Sequence, residues 1–136
     1  MTDKIIDNYQ NVKSRIKQAC EKYQRPLDSV TLLAVSKTKP IEAVQTIAKL
    51  GQLAFGEIYV QEALEKINQE PELEWHFIGP IQSNKTRQLA EAFDWVHSVD
   101  RLKIARRLSE QRGGSGSPLN VCLQVNINEE DSKAGC

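Results

Sequence analysis

Lys37 is the residue whose type and setting most readily support chemistry. It follows Thr31-Leu32-Leu33-Ala34-Val35-Ser36, a short apolar run with branched side chains that reads as a buried strand over 30–36. Pro40 stands three residues later, and proline suits the first turn of a helix, where its missing N–H costs nothing. Lys37 therefore falls where a strand ends and a helix is about to begin, the edge at which α/β folds hold ligands. A lysine amine has an ordinary pKa of about 10.4, and an apolar pocket lowers it by disfavouring the charged form. The neutral amine condenses with an aldehyde to give a Schiff base. On position alone a solvated loop lysine remains the favoured reading, because lysines at strand ends are common.

Other side chains have simpler readings. His76 lies within Trp75-His76-Phe77 near the end of an apolar strand, and a hydrogen-bonded core histidine is preferred there to a ligand-facing one. His97 is similar. Cys122 has no histidine or acid partner at a readable spacing and reads as an inert thiol. Ser83, Asn84 and Lys85 open a helix, where backbone N–H groups favour an anion, but capping explains them equally well. Lys133 is a second lysine beyond a strand end and reads as a solvated loop charge. No zinc spacing, phosphate loop, dinucleotide loop or serine-nucleophile elbow is present.

The 136-residue length fits one domain with room for a sizeable core. Lys plus Arg and Asp plus Glu number 18 each, so the net charge of zero gives no reason to invoke nucleic acid or an anionic membrane. Cys20, Cys122 and Cys136 lie far apart, an odd set that points to reduced thiols in the cytoplasm. Nothing near Met1 resembles a signal peptide, and no apolar run is long enough to span a bilayer.

The elements that must position Lys37 follow from periodicity. Ile5, Tyr9, Val12, Ile16, Ala19 and Tyr23 predict an amphipathic helix over 3–23. A second helix runs from Pro40 to a stop at Gly51. Strands are expected at 53–55, 75–78 and 95–99, and a helix at 59–68 carries Val60, Leu64 and Ile67 on one side. Ser83 or Asn84 caps a helix bearing Leu89, Ala90 and Phe93. Asp100 caps the next, with Leu102, Ala105 and Leu108 inward and Gly113 at its end. Residues 113–118 form a flexible connection. Leu119, Val121, Leu123, Val125 and Ile127 then alternate with polar residues as a fifth strand over 119–128, its apolar face directed at helices. Repeated strand and helix imply a parallel sheet with right-handed crossovers. A closed barrel of this kind needs about eight strands. The expected fold is therefore α/β, an incomplete (β/α)8 TIM-type barrel with residues 1–136 as its N-terminal part.

Four blocks sharpen this. They are Leu33-Ala34-Val35-Ser36-Lys37-Thr38-Lys39-Pro40, Phe55-Gly56-Glu57-Ile58-Tyr59-Val60-Gln61-Glu62-Ala63, Trp75-His76-Phe77-Ile78-Gly79-Pro80-Ile81-Gln82-Ser83-Asn84-Lys85 and Asn126-Ile127-Asn128-Glu129-Glu130-Asp131-Ser132-Lys133-Ala134-Gly135. In this order and at these separations they closely resemble the pyridoxal phosphate homeostasis protein family. The resemblance implies a single barrel domain like the N-terminal domain of alanine racemase, with Lys37 carrying pyridoxal 5'-phosphate (PLP) as an aldimine. It implies a cytoplasmic, non-enzymatic PLP carrier whose partners are PLP and apo forms of PLP enzymes. A PLP-dependent racemase and an incomplete chain without cofactor are the alternatives. Two departures stand out. Ile58 occupies a position where the family usually has Asn, and family members are considerably longer than a chain ending at Cys136. The expectation is weak PLP binding for want of a phosphate cradle, and self-association through an open sheet edge.

Overall fold

Alternating strands and helices are realised as five parallel strands in the order β1-β2-β3-β4-β5, each beside its predecessor in the chain. The computed structural model describes residues 2–114 and 116–136. Its elements are α1 (Thr2–Lys22), β1 (Ala34–Val35), α2 (Ile41–Ala48), β2 (Ala54–Glu57), α3 (Val60–Gln69), β3 (Glu74–Phe77), α4 (Thr86–Ala92), β4 (Trp95–Val99), α5 (Leu102–Arg112) and β5 (Asn120–Leu123). A sheet that always steps the same way, with right-handed crossovers, carries its helices on one face. This is a partial TIM-barrel-like α/β fold, as the sequence leads one to expect.

The core lies between that face and the helices. Phe55, Trp75, Phe77, Val96 and Val99 meet Val44, Ala63, Leu89, Ala90, Ile104 and Leu108 there. Parallel register aligns Val35, Gly56, His76, Trp95 and Asn120 in one row on the opposite face. Arg112 closes the far end of α5 by donating to the carbonyls of Ala90 and Phe93 at 2.7 and 2.6 Å. Among the described residues no helix is long and apolar enough to cross a membrane.

Several sequence expectations are corrected. The first strand pairs only at Ala34–Val35, because the Gln52 side chain takes the Leu32 carbonyl at 2.7 Å in place of a strand partner. Pro40 is the residue before α2 rather than part of its first turn. Neither Ser83 nor Asn84 caps with its side chain; with Lys85 they form a separate 3-10 turn ahead of α4. Asp100 does not cap α5 and instead pairs with Arg101 at 3.0 Å. Leu102 is 70% exposed, and Ile104 and Leu108 carry the buried face of α5. In α1 Cys20 is the buried residue and Val12 is exposed, as is Tyr23 just beyond its end.

The fifth strand ends at Leu123, short of the expected 128. Beyond it the Asn126 side chain donates to the carbonyls of Glu130 and Lys133, and the Asn126 amide bonds the Cys136 carbonyl at 3.0 Å, so the chain folds back on itself. Val121, Leu123, Val125 and Ile127 are exposed, where the sequence expectation had helices covering them. Of the 113–118 connection, Ser115 lies outside the described residues.

Phe77 is buried at the centre of the sheet and meets Phe93 edge to face at 5.4 Å between centroids. Phe77→Ala is expected to cost about 3–5 kcal/mol in urea unfolding. A loss within the roughly 0.5 kcal/mol of an ordinary surface substitution would contradict this placement of the core.

Candidate functional site

Lys37 lies just past the C-terminal end of β1, in a turn closed by the Lys39 amide donating to the Ser36 carbonyl at 3.0 Å. Lys37 is the second residue of that turn and Thr38 the third. Thr38 has φ +64°, the left-handed region that a type II turn requires at its third residue and that glycine normally supplies. A β-branched residue is costly there and persists only when its surroundings hold it. The Lys37 side chain is exposed, and among the described residues its ammonium makes no ion pair or side-chain hydrogen bond. The apolar pocket expected around it is not what surrounds it.

What surrounds the turn is a buried charge cluster. Lys66, on the inward face of α3, is 5% exposed. Its ammonium donates to the Ser36 carbonyl at 2.8 Å, to Glu57 Oε2 at 2.9 Å and to Glu62 Oε2 at 2.8 Å. Three donors meet three acceptors, the complete set a lysine needs to lose its water. Glu62 Oε2 also accepts from the Thr38 amide at 2.7 Å. The Ser36 hydroxyl donates to Glu57 Oε2, while Glu57 Oε1 is buried with no hydrogen-bond partner.

The two carboxyls are pushed apart. Burial raises Glu57 above the usual carboxylate range, against the lowering effect of Ser36 and Lys66. Burial also pushes Glu62 upward, but its bonds from Lys66 and the Thr38 amide outweigh that and hold it below the usual range.

The sequence reading missed Lys66, Glu57 and Glu62. Glu62 and Lys66 are spaced i, i+4, which on a helix usually marks a solvated pair. The signal available was that Lys66 falls between Ala63 and Ile67, on the stripe that packs against the sheet.

The remaining candidates are dispersed. Ile58 and Lys85 line one open cleft of about 550 Å³ with Tyr59, Pro80 and Gln82, and Lys37 does not line it. Gly79 packs so closely on Ile58 that an added Cβ would lie 2.8 Å from the Ile58 carbonyl oxygen. Lys133 is exposed and pairs with Glu130 at 3.2 Å. His76 is buried on the face opposite the helices, bonded to His97 at 2.8 Å and Glu74 at 2.7 Å and stacked on Trp95. Burial and the neighbouring His76 lower the His97 pKa. This is the satisfied histidine the sequence favoured. Cys122 is a half-buried free thiol.

Residues 3–136 match the family described as alanine racemase, N-terminal domain. The chain is 58% identical over 134 residues to the pyridoxal phosphate homeostasis protein of Pseudomonas aeruginosa, covering 97% of this chain and 58% of that one. It is 54% identical over 135 residues to the protein of the same name from Haemophilus influenzae, covering 96% of this chain and 57% of that one. The chain thus spans a little over half the length of these relatives. Among solved structures, PipY of Synechococcus elongatus with PLP bound is 42% identical with a TM-score of 0.71, covering 87% of this chain and 55% of that one.

The Glu62 carboxyl makes a pH prediction. Its folded pKa is depressed, so its contribution to stability is present above the ordinary value of 4.5 and is lost as pH falls through the folded value. Glu57 is raised, so its contribution runs the other way and is lost as pH rises through its folded value. Glu62→Gln should therefore flatten the acid limb of stability against pH, measured as urea midpoints. An acid limb as steep as that of the wild type would show that Glu62 does not hold the charge.

Proposed function

This chain belongs to the alanine racemase N-terminal domain family, and on that footing we propose that it binds PLP through the ε-amine of Lys37 and serves in intracellular PLP homeostasis as a carrier. The observation that carries the reading is a lysine amine just past the end of a parallel strand, without an ion-pair partner among the described residues and flanked by two anchored residues. When bound, PLP supplies an aldehyde that joins reversibly to an amine. The residues present fit that end of the cofactor. The Lys37 ammonium has no ion-pair partner among the described residues, and it is open to an incoming aldehyde. Two relatives bearing the name pyridoxal phosphate homeostasis protein and a neighbour solved with PLP support the assignment.

We assign no catalytic step to the chain. The acceptors of the carried cofactor are apo forms of PLP enzymes in the cytoplasm, which fits relatives named for homeostasis. A second copy of this chain is the proposed partner for the exposed apolar row Val121, Leu123, Val125 and Ile127. Val121 and Leu123 lie on β5, the last strand of the sheet, and Val125 and Ile127 follow it, an exposed apolar row that invites association.

The test is incubation with PLP, borohydride reduction and peptide mapping. The label is expected on the peptide bearing Lys37, and Lys37→Ala should abolish the visible absorbance of lysine-bound PLP. Equal labelling of Lys37, Lys85 and Lys133 would mean that only exposed amines are reacting. Ile58 gives a second prediction. If position 58 faces the cofactor, Ile58→Asn restores one hydrogen bond of roughly 0.5–1.5 kcal/mol. PLP should then bind several-fold more tightly in a spectroscopic titration. Unchanged or weaker binding would place Ile58 away from the cofactor.

A further inference from the structure

We infer that Lys66 is a positioning residue for Lys37: its buried ammonium fixes both peptide groups that flank Lys37 and so fixes the direction in which the reactive amine leaves the backbone. This rests on the reading that Lys37 is the PLP-linked amine. The Ser36 carbonyl belongs to the peptide group before Lys37, and it accepts from Lys66 at 2.8 Å. The Thr38 amide belongs to the peptide group after Lys37, and it donates at 2.7 Å to the same Glu62 oxygen that Lys66 holds at 2.8 Å. The backbone torsions of Lys37 are rotations between these two planes. With both planes tied to one cluster, the Cα–Cβ bond has one direction.

Local sequence preference does not supply this constraint. Thr38 is left-handed at φ +64°, where a β-branched residue is disfavoured. Left to itself, the turn would relax and Lys37 would sample several directions. The cluster also sits on rigid parts: Glu57 ends β2, and Glu62 and Lys66 stand one turn apart on α3. A residue needed only for packing at position 66 would be apolar, as Ala63 is one turn earlier. An ammonium there must find three acceptors, and one of the three is the backbone beside the reactive lysine.

The experiment compares wild type, Lys66→Met and Ile67→Ala. Met keeps the length of the side chain and removes its donors; Ile67 packs on the same helix and touches none of the cluster's hydrogen bonds. Two readouts are taken: the initial rate and site distribution of borohydride-trapped PLP labelling, and hydrogen exchange at the Thr38 amide. In Lys66→Met, Lys37 labelling should slow roughly tenfold, since misplacing a reacting group costs such factors. Label should spread to Lys39, Lys85 and Lys133, and the Thr38 amide should exchange faster. Ile67→Ala should lose stability yet keep the preference for Lys37, which separates positioning from general weakening. Should Lys66→Met fail to fold, Glu62→Gln provides the second variant. It leaves the Lys66–Ser36 bond in place and should accelerate Thr38 exchange and lower the preference for Lys37. A preference for Lys37 kept in Lys66→Met, or lost equally in Ile67→Ala, overturns the inference. Failure of the underlying reading looks different, because the wild type itself would then show no preference for Lys37.

Discussion

The ammonium of Lys66 cannot be buried alone, and much of the local architecture follows from that constraint. An unpaired charge away from water is among the most costly features a fold can hold. Lys66 meets the requirement with one backbone carbonyl and two carboxylates, drawn from the end of β1, the end of β2 and its own helix. These three elements are thereby joined at one point, on the helix side of the sheet beneath the turn that carries Lys37. Burial raises the Glu57 pKa, while at Glu62 the Lys66 and Thr38 donors outweigh burial and lower it.

The sheet supplies the frame for that point. Because all five strands are parallel, they deliver their C-terminal ends to one rim. Helices and core occupy one side, while the other carries His76, Trp95 and His97 in mutual contact. In a singly wound sheet the rim is where loops can vary without disturbing the core, and ligand chemistry collects there. Lys37 stands on that rim at the first strand, and Ile58 and Lys85 follow the second and third.

How much of this could be read from the sequence depended on whether a signal was local. The helix–strand alternation was local and was read correctly; β4 falls at the expected 95–99 because its flanking polar residues and apolar alternation agree. Where side chains compete with backbone pairing, reading failed. Gln52 takes a carbonyl from the first strand and Asn126 folds the chain back after the fifth, and neither effect has a periodic signature. Lys37 was singled out from its place at a strand end and from four blocks in register. The cluster under it was missed because a Glu62–Lys66 pair at i, i+4 reads as a surface pair, and only the third dimension brings Glu57 and Ser36 to it.

One particular amine, held by a fixed turn, is proposed to take the cofactor. A structure of the chain soaked with PLP tests this most directly. It should show density continuous from the Lys37 Nζ into the cofactor, with the Lys66–Ser36 and Glu62–Thr38 contacts unchanged. Cofactor joined to Lys85 or Lys133, or a turn at residues 36–39 that has rearranged to reach it, would contradict the account.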